Sequence, residues 1–92
     1  MYKTLIEEIR REYHIPPFFE DEGIESLIKA GEYRLLKLNP GRNYDDDLMY
    51  RSLLKSYVYY AYYGKIDSWR ENYAIDILEW QLGSEVNEDT AT

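Results

Sequence analysis

The chain contains no cysteine and a single histidine among its 92 residues. The absence of cysteine excludes disulfide bridges, thiolate metal sites and thiol nucleophiles. One histidine, His14, cannot form a multi-histidine metal site. It stands at the end of a helical pattern. The simplest explanation of this position is that the imidazole lies favourably beside the negative pole of the helix dipole. We therefore expect no catalytic or metal-binding role for His14.

Long apolar segments and clustered positive charge are also missing. No apolar run approaches the ~20 residues of a membrane span, and the N-terminal MYKTLIEEIRREY is too charged for a signal peptide. We expect a soluble intracellular protein that does not bind membranes. With 18 Asp and Glu against 11 Lys and Arg, the net charge is −7. This balance argues against a protein that grips nucleic-acid phosphates.

Nothing in the sequence indicates an enzyme. The acidic clusters FEDEG at 19–23 and YDDDL at 44–48 lack the spacing of a calcium-binding loop. Both stand where a helix is expected to begin, so helix capping is favoured over a metal site. NPGRN at 39–43 is a turn rather than a glycine-rich phosphate loop. We expect no catalytic residue, no metal and no cofactor.

What the chain has throughout is helical periodicity. Apolar residues recur at steps of three and four in segments 2–13, about 20–38, about 45–64 and about 67–83. Pro16 and Pro17 end the first segment, and Gly64 is a natural C-cap of the third. The run YVYYAYY also has strand propensity, but its flanks favour a helix. We predict an all-α protein, a compact bundle of about four helices in one domain over residues 1–83. The acidic, polar residues 84–92 are predicted to form a disordered tail.

Tyrosine is the most conspicuous excess, with eleven in the chain and five of them between positions 57 and 63. A helical wheel places Tyr50, Leu53, Leu54 and Tyr57 on one side of the third helix, as its core face. Three rings lie roughly opposite and are expected to point outward unless another element covers them: Tyr59, Tyr62 and Tyr63. Either they meet the first helix or they contact other subunits, and we favour the subunit contacts.

The fourth helix is apolar on two sides. One stripe contains Trp69, Tyr73, Ile77 and Trp80, and the other contains Ile75, Leu78 and Leu82. A helix with two apolar faces is either central in its own domain or shared with a neighbour. The second stripe is therefore a predicted interface. Arg42 beside Tyr44 could also contact a partner, although a solvated loop arginine is an equal alternative.

Three stretches occur in a characteristic order: DEGIESLIKAGEYRLL at 21–36, NPGRNYDDDLMYRSLLKSYVYYAY at 39–62 and SWRENYAIDILEWQLGS at 68–84. Together they resemble the head–tail connector, or head-completion adaptor, proteins of tailed bacteriophages. The resemblance covers residues 1–83. It implies an all-helical subunit of a ring of about a dozen copies, bound to the portal protein and to a stopper or tail-completion protein.

On this resemblance the ring would lie at the head–tail interface of the virion, after assembly in the host cytoplasm. It would extend the channel through which DNA passes without specific binding, and an acidic lumen suits such transit. Two alternatives stay open from the residues themselves. The chain could be a small acidic regulatory module that binds another protein, or an inhibitor that mimics DNA.

Overall fold

The computed structural model describes the backbone of residues 2–90 and the side chains of residues 2–83. The chain folds into α1 (Lys3–Tyr13), α2 (Asp21–Leu38), α3 (Leu48–Tyr62) and α4 (Ile66–Thr90). The predicted all-α bundle of four helices is confirmed. The backbone of α4 continues past Gly83, where we expected it to end. The predicted tail, residues 84–92, lies outside the part of the chain whose side chains are described.

The helix ends follow from local chemistry. His14 closes α1 in the left-handed region, with φ 54°, and its N–H donates to the Arg10 carbonyl. Pro16 and Pro17 then prevent the helix from continuing. At the start of α3, the Asp47 carboxylate accepts a hydrogen bond from the Tyr50 N–H at 3.0 Å, a regular N-cap. The capping role expected for the second acidic cluster is therefore present in the fold.

α3 is the central helix of the bundle, because it packs against α1, α2 and α4. A helix covered on several sides is apolar nearly all round, and this explains its unusual sequence. Val58 and Ser56 are both buried, outside the predicted core face. The Ser56 hydroxyl donates to the Leu53 carbonyl at 2.8 Å and accepts from the Trp69 indole N–H at 3.0 Å. α3 and α4 are thus joined by a satisfied polar contact within the core.

Gly31 of α2 packs directly against side chains of α3. A Cβ at this position would be 2.8 Å from both Leu54 Cδ1 and Tyr57 Cδ1, closer than real Cβ contacts. The glycine in the apolar stripe of α2 therefore reflects a close approach, made here to side chains of α3. A larger residue at position 31 would push α2 away from the central helix.

Two of the tyrosines predicted to point outward do not. The Tyr59 ring stacks on Tyr13 of α1, with centroids 4.9 Å apart, and the Tyr62 ring meets Phe19 edge-on at 4.9 Å. Both rings are half-buried against the core. The prediction was wrong for this pair because α1 and the segment after it cover this side of α3. Tyr63, one turn from Tyr59, is 53% exposed as expected.

Candidate interaction surface

The outer stripe of α4, which consists of Ile75, Leu78 and Leu82, is uncovered by the rest of the described chain. These side chains are 70%, 52% and 49% exposed, respectively. Trp69 and Trp80, on the other side of the same helix, are buried against α3. The two apolar faces predicted for the fourth helix are therefore both present. A contiguous apolar row on a small protein is typical of a protein interaction site.

Two exposed carboxylates lie beside the outer stripe on α4. Glu71 and Glu79 are exposed and stand one helical turn before and after Ile75. Residues 71–92 contain six Asp and Glu and no Lys or Arg. Six of the seven net negative charges of the chain therefore belong to this last segment. The outer stripe therefore belongs to an acidic segment of the sequence.

A groove of about 620 Å³ separates α2 from α4, and we call it the α2–α4 groove. Its lining comprises Tyr33, Arg34, Leu35, Lys37, Leu38, Trp69, Arg70, Ala74 and Ile77. The lining contains three cations and no carboxylate. Sequence reasoning missed this groove because its two walls are more than thirty positions apart in the chain. The sequence signal for the groove was the alternation of Arg34 and Lys37 with apolar residues at the end of α2.

Arg42 and Tyr44, the predicted contact residues of the α2–α3 connection, have different surroundings. The Tyr44 ring is half-buried, with the Tyr2 ring centroid at 6.3 Å and the Arg51 guanidinium carbon at 5.4 Å. Arg42 is half-buried and lines a cleft with Glu79 and Gly83 of α4. The structure thus brings Arg42 near the acidic flank of the outer stripe. It places Tyr44 among side chains of its own chain.

Tyr63 lies at the opposite end of α3 from that connection. It lines a cleft of about 350 Å³ with Tyr59, Tyr60 and Lys65. The ring of Tyr63 also meets the Tyr62 ring edge-on at 4.9 Å. Tyr63 and the outer stripe of α4 share none of the described clefts. The predicted interface residues are therefore divided among separate surfaces.

An ion-pair network joins α1 to α3. Glu8 accepts hydrogen bonds from the Arg51 guanidinium, with its Nε at 3.0 Å, and from the Lys55 ammonium at 3.1 Å. Lys55 also pairs with Glu12 at 2.9 Å. The hydrogen bonds from Arg51, assisted by those from Lys55, lower the pKa of Glu8 to about 2. These carboxylates hold helices together rather than form a free acidic surface.

The stability of the fold should depend on the ionisation of Glu8. Because its folded pKa is depressed to about 2, Glu8 stabilises the fold above its ordinary pKa of 4.5, and this contribution is lost as the pH falls towards 2. Glu8→Gln should be less stable than wild type at pH 7. The difference should shrink steadily as the pH is lowered to 2. Urea unfolding of both proteins across this range measures the difference, and a gap that stays constant with pH would contradict the assignment.

Among the described side chains, no group of three or more His, Asp and Glu residues is placed to hold a metal ion. None of the helices in the described part of the chain is both long and apolar enough to cross a membrane. Comparisons of the chain with protein-family models, with curated proteins and with solved structures found no match.

Proposed function

We propose that the protein is an adaptor-ring subunit at the head–tail interface of a tailed bacteriophage. The ring joins the portal protein to the stopper or tail and extends the DNA channel. The observation that carries this proposal is the outer stripe of α4, an apolar face that the described chain leaves uncovered. It agrees with the resemblance of the sequence to head–tail connectors, whose subunits contact each other and the portal.

The energetics of the outer stripe favour a protein partner. Removal of apolar surface from water contributes roughly 25 cal/mol per Å², and three large side chains in a row offer such surface at one place. The same face is a liability in a protein that remains alone, because exposed apolar rows promote non-specific association. The acidic charge of the chain suits a channel wall that DNA passes without binding.

The proposal predicts direct binding to the portal. The purified protein is sedimented alone and then with portal rings encoded by the same genome. We expect co-sedimentation at about one chain per portal subunit, since each adaptor subunit meets the ring in an equivalent place. No binding to the portal, with a monomer or dimer at every concentration, would instead favour a regulatory module.

A matched pair of variants separates loss of the interface from loss of the fold. Ile75→Ser combined with Leu78→Ser changes only exposed side chains, so helicity should be retained while assembly on the portal is lost. Phe18→Ser, which changes a side chain that is 82% exposed, serves as the control and should assemble normally. Equal assembly by both variants would exclude the outer stripe as the interface.

The ion pairs of the carboxylates argue against the alternative function, an inhibitor that mimics DNA. Such an inhibitor presents its acids freely at the spacing of phosphates. Here Glu8 and Glu12 are paired with Arg51 and Lys55, and Asp21 is paired with Arg10 at 2.8 Å. These contacts favour a structural role for the acids of α1 and the start of α2. Failure of the protein to bind and inhibit a DNA-binding enzyme would agree with this reading.

A further inference from the structure

We propose that the α2–α4 groove of one subunit receives the outer stripe of α4 of the next subunit. This inference rests on the proposed ring and names the two surfaces that would build it. The occupant of the groove is a second copy of this chain.

The cations of the groove are available for a partner. Lys37 Nζ lies 4.5 Å from the centroid of the Tyr33 ring, and Arg34 Cζ lies 6.0 Å from that of Tyr57. Neither forms an ion pair with a carboxylate of residues 2–83. Arg70 makes a looser contact of 3.7 Å with Asp67, and both partners are exposed. Such an exposed pair adds little stability, so Arg70 is also free to meet a new carboxylate.

The outer stripe supplies the complementary charge. Its exposed neighbours Glu71 and Glu79 carry carboxylates, and the sequence between them contains no Lys or Arg. The groove has three cations and no acid among its lining residues. In a chain of net charge −7, the groove is thus cationic and the flanks of the outer stripe are anionic. Opposite charges across an interface set its register and accelerate encounter.

The apolar parts also correspond. Leu35 and Trp69 are buried at the base of the groove, whereas Tyr33 and Leu38 remain 66% and 48% exposed. An amphipathic helix fits a groove of this kind through apolar residues spaced by three, four and seven positions. Ile75, Leu78 and Leu82 have this spacing. Docking would therefore cover exposed apolar side chains on both subunits.

The positions of the two surfaces determine the kind of assembly. The groove and the outer stripe share no residue, so the contact is heterologous, with different patches on the two subunits. Heterologous contacts generate rings when the rotation closes and filaments when it does not. A symmetric pairing of two outer stripes would instead oppose Glu71 and Glu79 of both copies, which is unfavourable.

Because the chain lacks cysteine, engineered thiols test the contact directly. One chain carries Tyr33→Cys at the groove and a second carries Leu78→Cys on the outer stripe, both at exposed positions. They are mixed under mild oxidation, alone at high concentration and with portal rings of the same genome. We expect a disulfide-linked 33–78 heterodimer in at least one condition. Phe18→Cys, mixed with either chain, should give at most background linkage.

Charge reversal adds a second readout. Lys37→Glu with Arg70→Glu in the groove chain should lower the yield of the 33–78 link by about tenfold, which corresponds to about 1.4 kcal/mol. Glu71→Lys with Glu79→Lys in the partner chain should restore it. Circular dichroism of each variant checks that the helices are intact. Rescue by the double reversal distinguishes a charge-matched contact from general loss of solubility.

Each outcome separates this inference from the proposed function. Portal binding without a 33–78 link, or preferential self-linkage of Leu78→Cys, would overturn the docking arrangement and leave the adaptor function standing. A strong 33–78 link without portal binding would support the docking arrangement and count against the adaptor. Protection of Tyr33→Cys from a thiol-alkylating reagent by portal rings, without a 33–78 link, would assign the groove to a different protein.

Discussion

Leu54→Ala is expected to lower the free energy of unfolding by about 2–5 kcal/mol, the usual cost of truncating a buried leucine. Leu54 is fully buried on the central helix, and its Cδ1 is one of the atoms nearest to Gly31 of α2. A cavity at this point removes packing contacts between α2 and α3. Because α1 and α4 also pack against α3, the loss of stability should appear as cooperative unfolding of the whole protein.

The control is the same substitution on the same helix. Leu48, the first residue of α3, is 77% exposed, and Leu48→Ala should change stability by less than ~0.5 kcal/mol. Urea unfolding followed by circular dichroism measures both variants. Comparable losses for Leu48 and Leu54 would show that the core face of α3 has been misplaced.

The four helices and most of their ends could be predicted from the sequence because local chemistry sets them, whereas α4 continues past the Gly83 expected to end it. Pro16 and Pro17 prevent continuation of α1, Asp47 caps α3, and Gly64 adopts a positive φ of 68° after it. These features act within a few residues of where they occur, so they need no knowledge of the tertiary arrangement. The periodicity of apolar residues between them then identifies each helix.

The partners of each helical face could not be predicted in the same way. On a helical wheel, the row with Tyr59 and Tyr62 and the row with Ile75 and Leu78 look alike, since both lie opposite a core face. In the fold, α1 and the segment after it cover the first row, and the described chain leaves the second uncovered. Periodicity indicates where a side chain lies on its helix. Whether another element buries that side chain depends on contacts between residues that are distant in sequence.

The charges carried information that periodicity did not. Glu8 and Glu12 are spaced by one turn on α1, and they meet Lys55 one turn before Tyr59 on α3. A lysine on the central helix, paired with two acids spaced by one turn on another helix, joins those two helices. The α2–α4 groove offered a similar signal in Arg34 and Lys37, but the occupant that we propose for it belongs to a second chain.

The double variant Tyr59→Ser, Tyr62→Ser is expected to lower the free energy of unfolding by about 3 kcal/mol, because two half-buried rings lose their packing. Tyr59 loses its stack on Tyr13, and Tyr62 loses its edge contact with Phe19. Both contacts attach the N-terminal part of the chain to the central helix. Thermal unfolding should therefore show a lower midpoint before any test of assembly.

Tyr63→Ser provides the matched control, because this ring is 53% exposed at the end of the same helix. Its effect on stability should stay below ~1 kcal/mol. If the double variant keeps the wild-type midpoint but fails to assemble with the portal, these tyrosines act between subunits, as the sequence pattern alone suggests. If the midpoint of the double variant falls while Tyr63→Ser keeps the wild-type midpoint, Tyr59 and Tyr62 belong to the core. The outer stripe of α4 then remains as the proposed interaction surface. There, Ile75→Ser with Leu78→Ser is expected to disrupt assembly without unfolding the subunit.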